Sequence, residues 1–484
     1  MSTGRILLYR GKNIMGKLSL SKCQPIEIDA DNPFKNDVLG REENITVLTQ
    51  FITSFEQSIV LCIDGGWGQG KTTFIKMWQQ YLKKRNITTI YFNAWESDYT
   101  EDALIALIGE ISLSIEKLKV QDKTKAEKII APIYKYAAKF AKAVAPSAAN
   151  LSIKAISGGL TNADELSKTL SALGESLVKE QIKKYEESRK TLSKFKEELS
   201  KLAKCYTGGD KQKPLVIFID ELDRCRPDFA IEVLEKAKHL FNVDNIIFVL
   251  ATDKTQLGHS IRAVYGQGLD VNGYLRRFID FDYQLPLSNR KYITHLINKF
   301  SLGKYFQTKD TNVPASEFLV DIVHKYTLSL REQEALCNIF NVVIRTKINI
   351  RLKNWTLIIF IFLIILKLKF PDIYKNLGNK NFSDFLDETI KNIDSHCASD
   401  DKNSNYYLEL LEFLLLRTSP YIYDLYSSED EIEQNVRKFN FDENKIERLS
   451  DIEIEYEYEK PSINLQMVLN IKKAIEISNS FKFN

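Results

Sequence analysis

An α/β fold on a parallel sheet is what this chain predicts, with a large helical insert inside it and a mostly helical region after it. Three observations carry that expectation. Apolar, β-branched runs alternate with helical patterns over residues 37–110 and again over 213–290. One run, "IVLCID", breaks into the glycine-crowded turn "GGWGQGKTT" before a helix opens. Another, "KPLVIFIDE", is an apolar strand that stops on two carboxylates, Asp220 and Glu221.

The regions follow in order. Residues 1–36 read as an arm with strand-like alternation in "PIEIDAD". Its basic residues (Arg5, Arg10, Lys12, Lys17, Lys22) suit either a polyanion such as nucleic acid or a simply solvated arm. Residues 37–290 form the α/β core, interrupted over about 111–212 by an insert with almost no strand signal. The insert carries "APIYKYAAKFAKAVAPSAANLSIKAISGG", rich in alanine with lysines and no acids, then the charged helix "KEQIKKYEESRKTLSKFKEELSKLAK", stopped at "CYTGGD". Residues 291–370 read as a helical, lid-like region and 371–484 as a mostly helical accessory region. Within the latter, "SDIEIEYEYEKP" alternates like a strand with one acidic face.

Composition sets the outer limits. The chain has 484 residues, 44% of them hydrophobic, and a net charge of +3, enough for two or three domains and too near balance to imply a strong electrostatic partner. Six cysteines (Cys23, Cys62, Cys205, Cys225, Cys337, Cys397) are scattered without C-x-x-C spacing, which excludes a zinc site and a disulfide framework and fits reduced cytosolic thiols. The N-terminus is basic but has no long apolar core, so it is not expected to be a secretory signal. The longest uncharged run, "NWTLIIFIFLIIL" at 354–366, has 13 residues against the roughly 20 that a spanning helix needs. It is expected to be a buried core helix.

The glycine-rich turn has a chemical reason. Gly65-x-x-x-x-Gly70-Lys71-Thr72 fits the phosphate-loop pattern and sits between a strand and a helix, as that mechanism requires. Glycines let the backbone wrap closely enough for its N–H groups to meet a phosphate, and the helix that opens at Lys71 adds its positive end. Gly65, Gly66, Trp67, Gly68, Gln69, Gly70, Lys71, Thr72 and Thr73 are therefore the candidate nucleotide cradle. Lys71 would reach the β- and γ-phosphates, and the Thr72 hydroxyl would hold Mg²⁺. Asp220, ending its strand, suits the surroundings of the same ion, and Glu221 can polarise an attacking water. Asp223 and Arg224 either extend this acidic edge or form a surface ion pair.

At this point the residues resemble a family. "FNAWESD" at 92–98, "FIDELDRCRPD" at 218–228, "FVLATDKTQL" at 248–257, "YLRRFIDFDYQLP" at 274–286 and "LSLREQE" at 328–334 are similar to the KAP family of P-loop NTPases, over roughly residues 32–370. The resemblance implies the additional-strand, catalytic-glutamate class, in which another strand separates the Asp220 strand from the phosphate-loop strand. "TTIYFNAW" at 88–95 would lie outside. It implies Thr252 and Asp253 as sensors of the γ-phosphate, and Arg276 or Arg277 as an arginine finger acting across a subunit boundary in a homo-oligomer. The plainer alternative for that pair is a solvated helix end. It also implies Arg331 as a second sensor, and "DVLGRE", Asp37 to Arg41, as the segment flanking the adenine.

Many members of the family carry transmembrane helices in the insert. Here Lys135, Lys139, Lys142 and Lys154 interrupt the apolar stretch, so no spanning run survives. The insert is then an amphipathic helix on anionic lipid, a helix packing on a partner, or a solvated hairpin. No N-K-x-D guanine reader is present, which makes ATP the expected nucleotide. Two functions remain open. One is a cytoplasmic, oligomeric ATPase that powers or switches a partner effector from the same operon, an antiphage-defence role that the resemblance implies. The other is a scaffold peripheral to the inner face of the membrane, whose assembly is controlled by nucleotide binding.

Overall fold

The computed structural model describes residues 27–100, 103–115, parts of 128–135 and 190–205, 213–238, 243–286, 289–306, 314–345, 354–378, 382–396, 402–416, 418 and 464–478. The chain forms two compact units, residues 26–287 and a second made largely of residues 288–484.

The first unit is a five-stranded parallel sheet in the order β2-β3-β4-β1-β5. Its strands are β1 (Ile59–Asp64), β2 (Thr89–Asn93), β3 (Leu215–Asp220), β4 (Ile246–Thr252) and β5 (Phe281–Gln284). Strand β4 separates the Asp220 strand from the phosphate-loop strand, and β2 lies outside β3, as the additional-strand class requires. The three central strands are almost wholly buried, which is why they read as continuous β-branched runs.

Alternation along these strands feeds two cores. Leu61, Ile63, Phe218, Val249 and Ala251 face α1 (Glu42–Thr53) and α2 (Lys71–Lys84), where Trp78 meets Phe218 edge to face at 5.4 Å. Val60, Cys62, Ile217, Ile219, Phe248 and Leu250 face the other layer. That layer contains α3 (Ala103–Ile115), α4 (Pro227–Lys238), α5 (Lys254–Tyr265) and the short α6 (Val271–Leu275). The insert lies mostly outside the described residues; its described pieces are helical, with Lys201 paired to Glu197 and Glu198 at 2.9 Å.

One local expectation fails. Residues 27–31 of "PIEIDAD" are not a strand. The Asp29 side chain accepts hydrogen bonds from the backbone N–H groups of Asp31 and Asn32. This local turn gives the backbone partners that a strand ladder would otherwise supply. The arm docks through Ile28 and Phe34, the latter 5.5 Å from the Tyr81 ring.

The second unit is helical: α7 (Asn289–Lys299), α8 (Gly303–Phe306), α9 (Ala315–Lys325), α10 (Leu330–Arg345), α11 (Asn354–Lys369), α12 (Pro371–Asn376), α13 (Phe382–Asp394), α14 (Lys402–Leu416) and α15 (Leu465–Ser478). Helix α11 is its centre. Every residue from Asn354 to Leu366 is buried, with Phe360 stacked on Phe340 at 4.9 Å, so the long apolar run is a core helix. Helices from both sides of residue 370 share this core, so the expected boundary there falls inside one unit. Ser329 and Glu332 form a reciprocal capping box that starts α10. Among the described residues no helix is long and apolar enough to cross a membrane. The stretch "SDIEIEYEYEKP" lies outside the described residues.

Candidate functional site

Strand register gathers the chemistry. Asp64 stands opposite Thr252, and Asn93 opposite Asp220, so the carboxyl ends of four neighbouring strands meet at one edge of the sheet. This is where parallel α/β sheets bind ligands. From Asp64 the chain enters the loop 65–70, anchored by the Gly65 N–H donating to the Thr252 carbonyl at 3.3 Å. Gly68 and Gly70 adopt left-handed backbone (φ 78° and 79°), and Gly70 directly precedes helix α2. A side chain at either position would be strained. A left-handed residue followed by helical Lys71 is the alternation that makes successive N–H groups converge on an anion.

Lys71 is 9% exposed, and its ammonium donates to the Gly65 carbonyl at 2.6 Å. It therefore folds back over the loop it would share with a phosphate. The Gln69 side chain also lies over the loop. A Cβ on Gly65 would come within 2.9 Å of Gln69 Oε1, and that buried oxygen has no hydrogen-bond partner. Thr73 follows in the first turn of α2, half-buried.

Asp220 is fully buried at the end of β3. It accepts hydrogen bonds from the Tyr91 hydroxyl at 2.9 Å, from the Glu221 N–H at 2.9 Å and from Thr72. Burial raises its carboxyl above the ordinary aspartate value, against the pull of the Thr72 and Tyr91 hydrogen bonds. A buried carboxylate joined to a threonine hydroxyl is a donor set that fits Mg²⁺, which takes a few protein oxygens and completes its shell with phosphate and water.

Glu221 sits in left-handed backbone at φ 61°, a strained conformation for a side-chain-bearing residue. Its carboxylate pairs with Arg224 at 2.8 Å and accepts from Asn93 Nδ2 at 3.4 Å. Asn93 is a site residue that the sequence reading missed; its signal was its place at the end of the strand neighbouring Asp220.

Asp223 and Arg224 are not an ion pair with each other. Arg224 turns to Glu221 and lies over the Trp95 ring at 5.7 Å. Asp223 is buried and accepts from the Trp67 indole at 2.5 Å and from the Thr252 hydroxyl at 3.1 Å. Phosphate loop, β4 end and the turn after β3 thus share one carboxylate. Asp253, expected beside Thr252 as a sensor, instead caps α5 by accepting from the N–H groups of Thr255 and Gln256.

Arg41, read in sequence as part of a base-flanking segment, reaches the back of the loop. It is 4% exposed and donates to the Gln69 carbonyl at 2.6 Å and the Gly70 carbonyl at 2.8 Å. Burial pulls its guanidinium down to about 10. Arg276 and Arg277 are exposed at the C-terminal end of α6, with Arg277 over the Tyr274 ring at 6.0 Å. Arg331 is exposed in the first turn of α10, in the helical unit.

The sequence model of the KAP family P-loop domain matches residues 41–347. Several solved structures are similar at low identity. AMPPCP-bound DnaA from Aquifex aeolicus is 14% identical, with 93% of this chain and 98% of that one covered at a TM-score of 0.30. A DNA replication initiation factor is 14% identical, covering 90% and 92%, at 0.25. Replication initiator DnaA bound to AMPPCP and single-stranded DNA is 15% identical, covering 90% and 94%, at 0.26. No curated protein matches the chain.

Proposed function

Because this chain belongs to the KAP family of P-loop NTPases, we propose that it binds ATP with Mg²⁺ and hydrolyses it. The observation that carries this reading is the placing of Lys71, Thr72, Asp220 and Glu221 around one loop with left-handed Gly68 and Gly70.

In this reading the loop amides and Lys71 hold the phosphates, and Lys71 exchanges its bond to the Gly65 carbonyl for phosphate oxygens. Thr72 and Asp220 would hold Mg²⁺, which neutralises charge on the phosphates when bound. Glu221 would take a proton from the attacking water once its carboxylate is turned from Arg224. Thr252 now donates its hydroxyl to Asp223 and would exchange that bond for one to the terminal phosphate. ATP is preferred over GTP because the sequence has no guanine-reading motif.

The finer role we infer is a cytoplasmic, oligomeric switch acting with a partner effector in antiphage defence. Exposed Arg276 and Arg277 support the oligomeric part, as a guanidinium pair available to a neighbouring subunit.

Equilibrium binding tests the core of the reading. Wild type should bind magnesium–ATP, and Lys71→Ala should lose roughly 100-fold or more in affinity. Equal binding by the two proteins contradicts it.

A further inference from the structure

Two donors of one buried guanidinium end on consecutive carbonyls at the joint between the phosphate loop and α2, Arg41 Nη2 on Gln69 and Arg41 Nη1 on Gly70. In a trans peptide the C=O and the following N–H point in opposite directions. Holding the Gln69 carbonyl toward Arg41 therefore turns the Gly70 N–H away from it, and holding the Gly70 carbonyl does the same for the Lys71 N–H. Those amides flank the left-handed Gly70, where successive N–H groups converge.

The geometry points to Arg41 as a positioning residue that presets the Gly70 and Lys71 amides to receive nucleotide phosphates. This rests on the phosphate-loop reading above and gives Arg41 a task different from flanking the base.

The surroundings fit that task. Asp37 Oδ2 accepts from the backbone N–H of Arg41 and Glu42, fixing where the side chain leaves the start of α1. The guanidinium lies over the Phe74 ring at 5.7 Å, packed against the helix whose first turn it aligns. A planar fork spans two carbonyls in a way that a single ammonium does not. The Gly70 carbonyl also accepts the Phe74 N–H at 3.0 Å, the first bond of α2. Without the fork it is therefore the Gln69–Gly70 peptide plane that is freed to rotate, and that part of the cradle must be ordered at the moment of binding.

The test compares pyrophosphate, which has no base, with ATP. For Arg41→Lys, with folding checked by circular dichroism, affinity for both ligands should fall by the same factor, roughly 10- to 100-fold, with the ATP-to-GTP preference unchanged. If Arg41→Lys does not fold, Arg41→Ala replaces it, and guanidinium ion added at low concentration should restore pyrophosphate binding. Wild-type pyrophosphate affinity in Arg41→Lys overturns the proposal, as does a folded Arg41→Ala that guanidinium leaves unimproved. A loss for ATP with none for pyrophosphate also overturns it, since Arg41 would then serve the base. A wild-type chain that binds neither ligand overturns the phosphate-loop reading itself, and this proposal with it.

Discussion

Trp67 in the phosphate loop and Asp223 in the turn after β3 are joined by a 2.5 Å hydrogen bond across 156 residues of sequence. The Trp67 ring is half exposed, so packing alone does not hold it; the buried carboxylate does. Asp223→Ala leaves the indole and the Thr252 hydroxyl without their acceptor, and should cost about 1–3 kcal/mol in urea denaturation. Asp223→Asn should cost less, because its amide can donate to Thr252 while its oxygen accepts from Trp67. Equal loss in both variants would show that the pairing does not matter.

The buried carboxyl of Asp220 gives a pH dependence with a definite sign. Burial raises its pKa above the ordinary 3.8, so the folded chain binds this proton more tightly than the unfolded chain. Stability from this group is present at low pH and is lost as pH rises through the carboxylate range. Asp220→Asn should therefore raise the Tm of the nucleotide-free protein at neutral pH. Its advantage should shrink as pH falls toward the ordinary aspartate value. A lower Tm for Asp220→Asn at neutral pH contradicts this.

Helix α11 anchors the second unit. Phe360 is fully buried against Phe340, and Phe360→Ala should destabilise that unit by about 3–5 kcal/mol in denaturant titration. A loss well under about 1 kcal/mol would mean that the helix is not the centre of the core.

The sequence showed most of what local pattern encodes. The loop 65–70, its flanking strand and helix, and the Asp220–Glu221 strand end all have their signal within a few residues. The sheet order followed from the family's class. What escaped notice is held by partners far apart in sequence. Arg41 grips backbone carbonyls, which leave no side-chain pattern to recognise. Asn93 matters only because β2 lies in register beside β3. Asp223 read either as an extension of the acidic edge or as half of an ion pair until folding placed Trp67 and Thr252 against it. The family resemblance implied Asp253 as a sensor together with Thr252, yet its carboxylate is taken up by the helix it starts.

If Arg276 or Arg277 completes a neighbour's site, mixing should reveal it. Glu221→Gln and the double variant Arg276→Ala/Arg277→Ala should each be inactive alone. An arginine supplied in trans is worth roughly 10³–10⁵ in rate. Their mixture should regain part of the activity, because one kind of interface in the mixed assembly has both intact parts. A double variant that hydrolyses ATP normally removes the finger role.

The central claim is that this edge of the sheet hydrolyses nucleotide through Glu221 while Lys71 and the loop hold it. The most direct measurement is single-turnover hydrolysis of magnesium–ATP by wild type and Glu221→Gln, with binding measured on the same samples. Glu221→Gln should bind ATP as wild type does and hydrolyse it about 10²–10⁴-fold more slowly, the range of a lost general base. Equal hydrolysis by the two proteins would contradict the account.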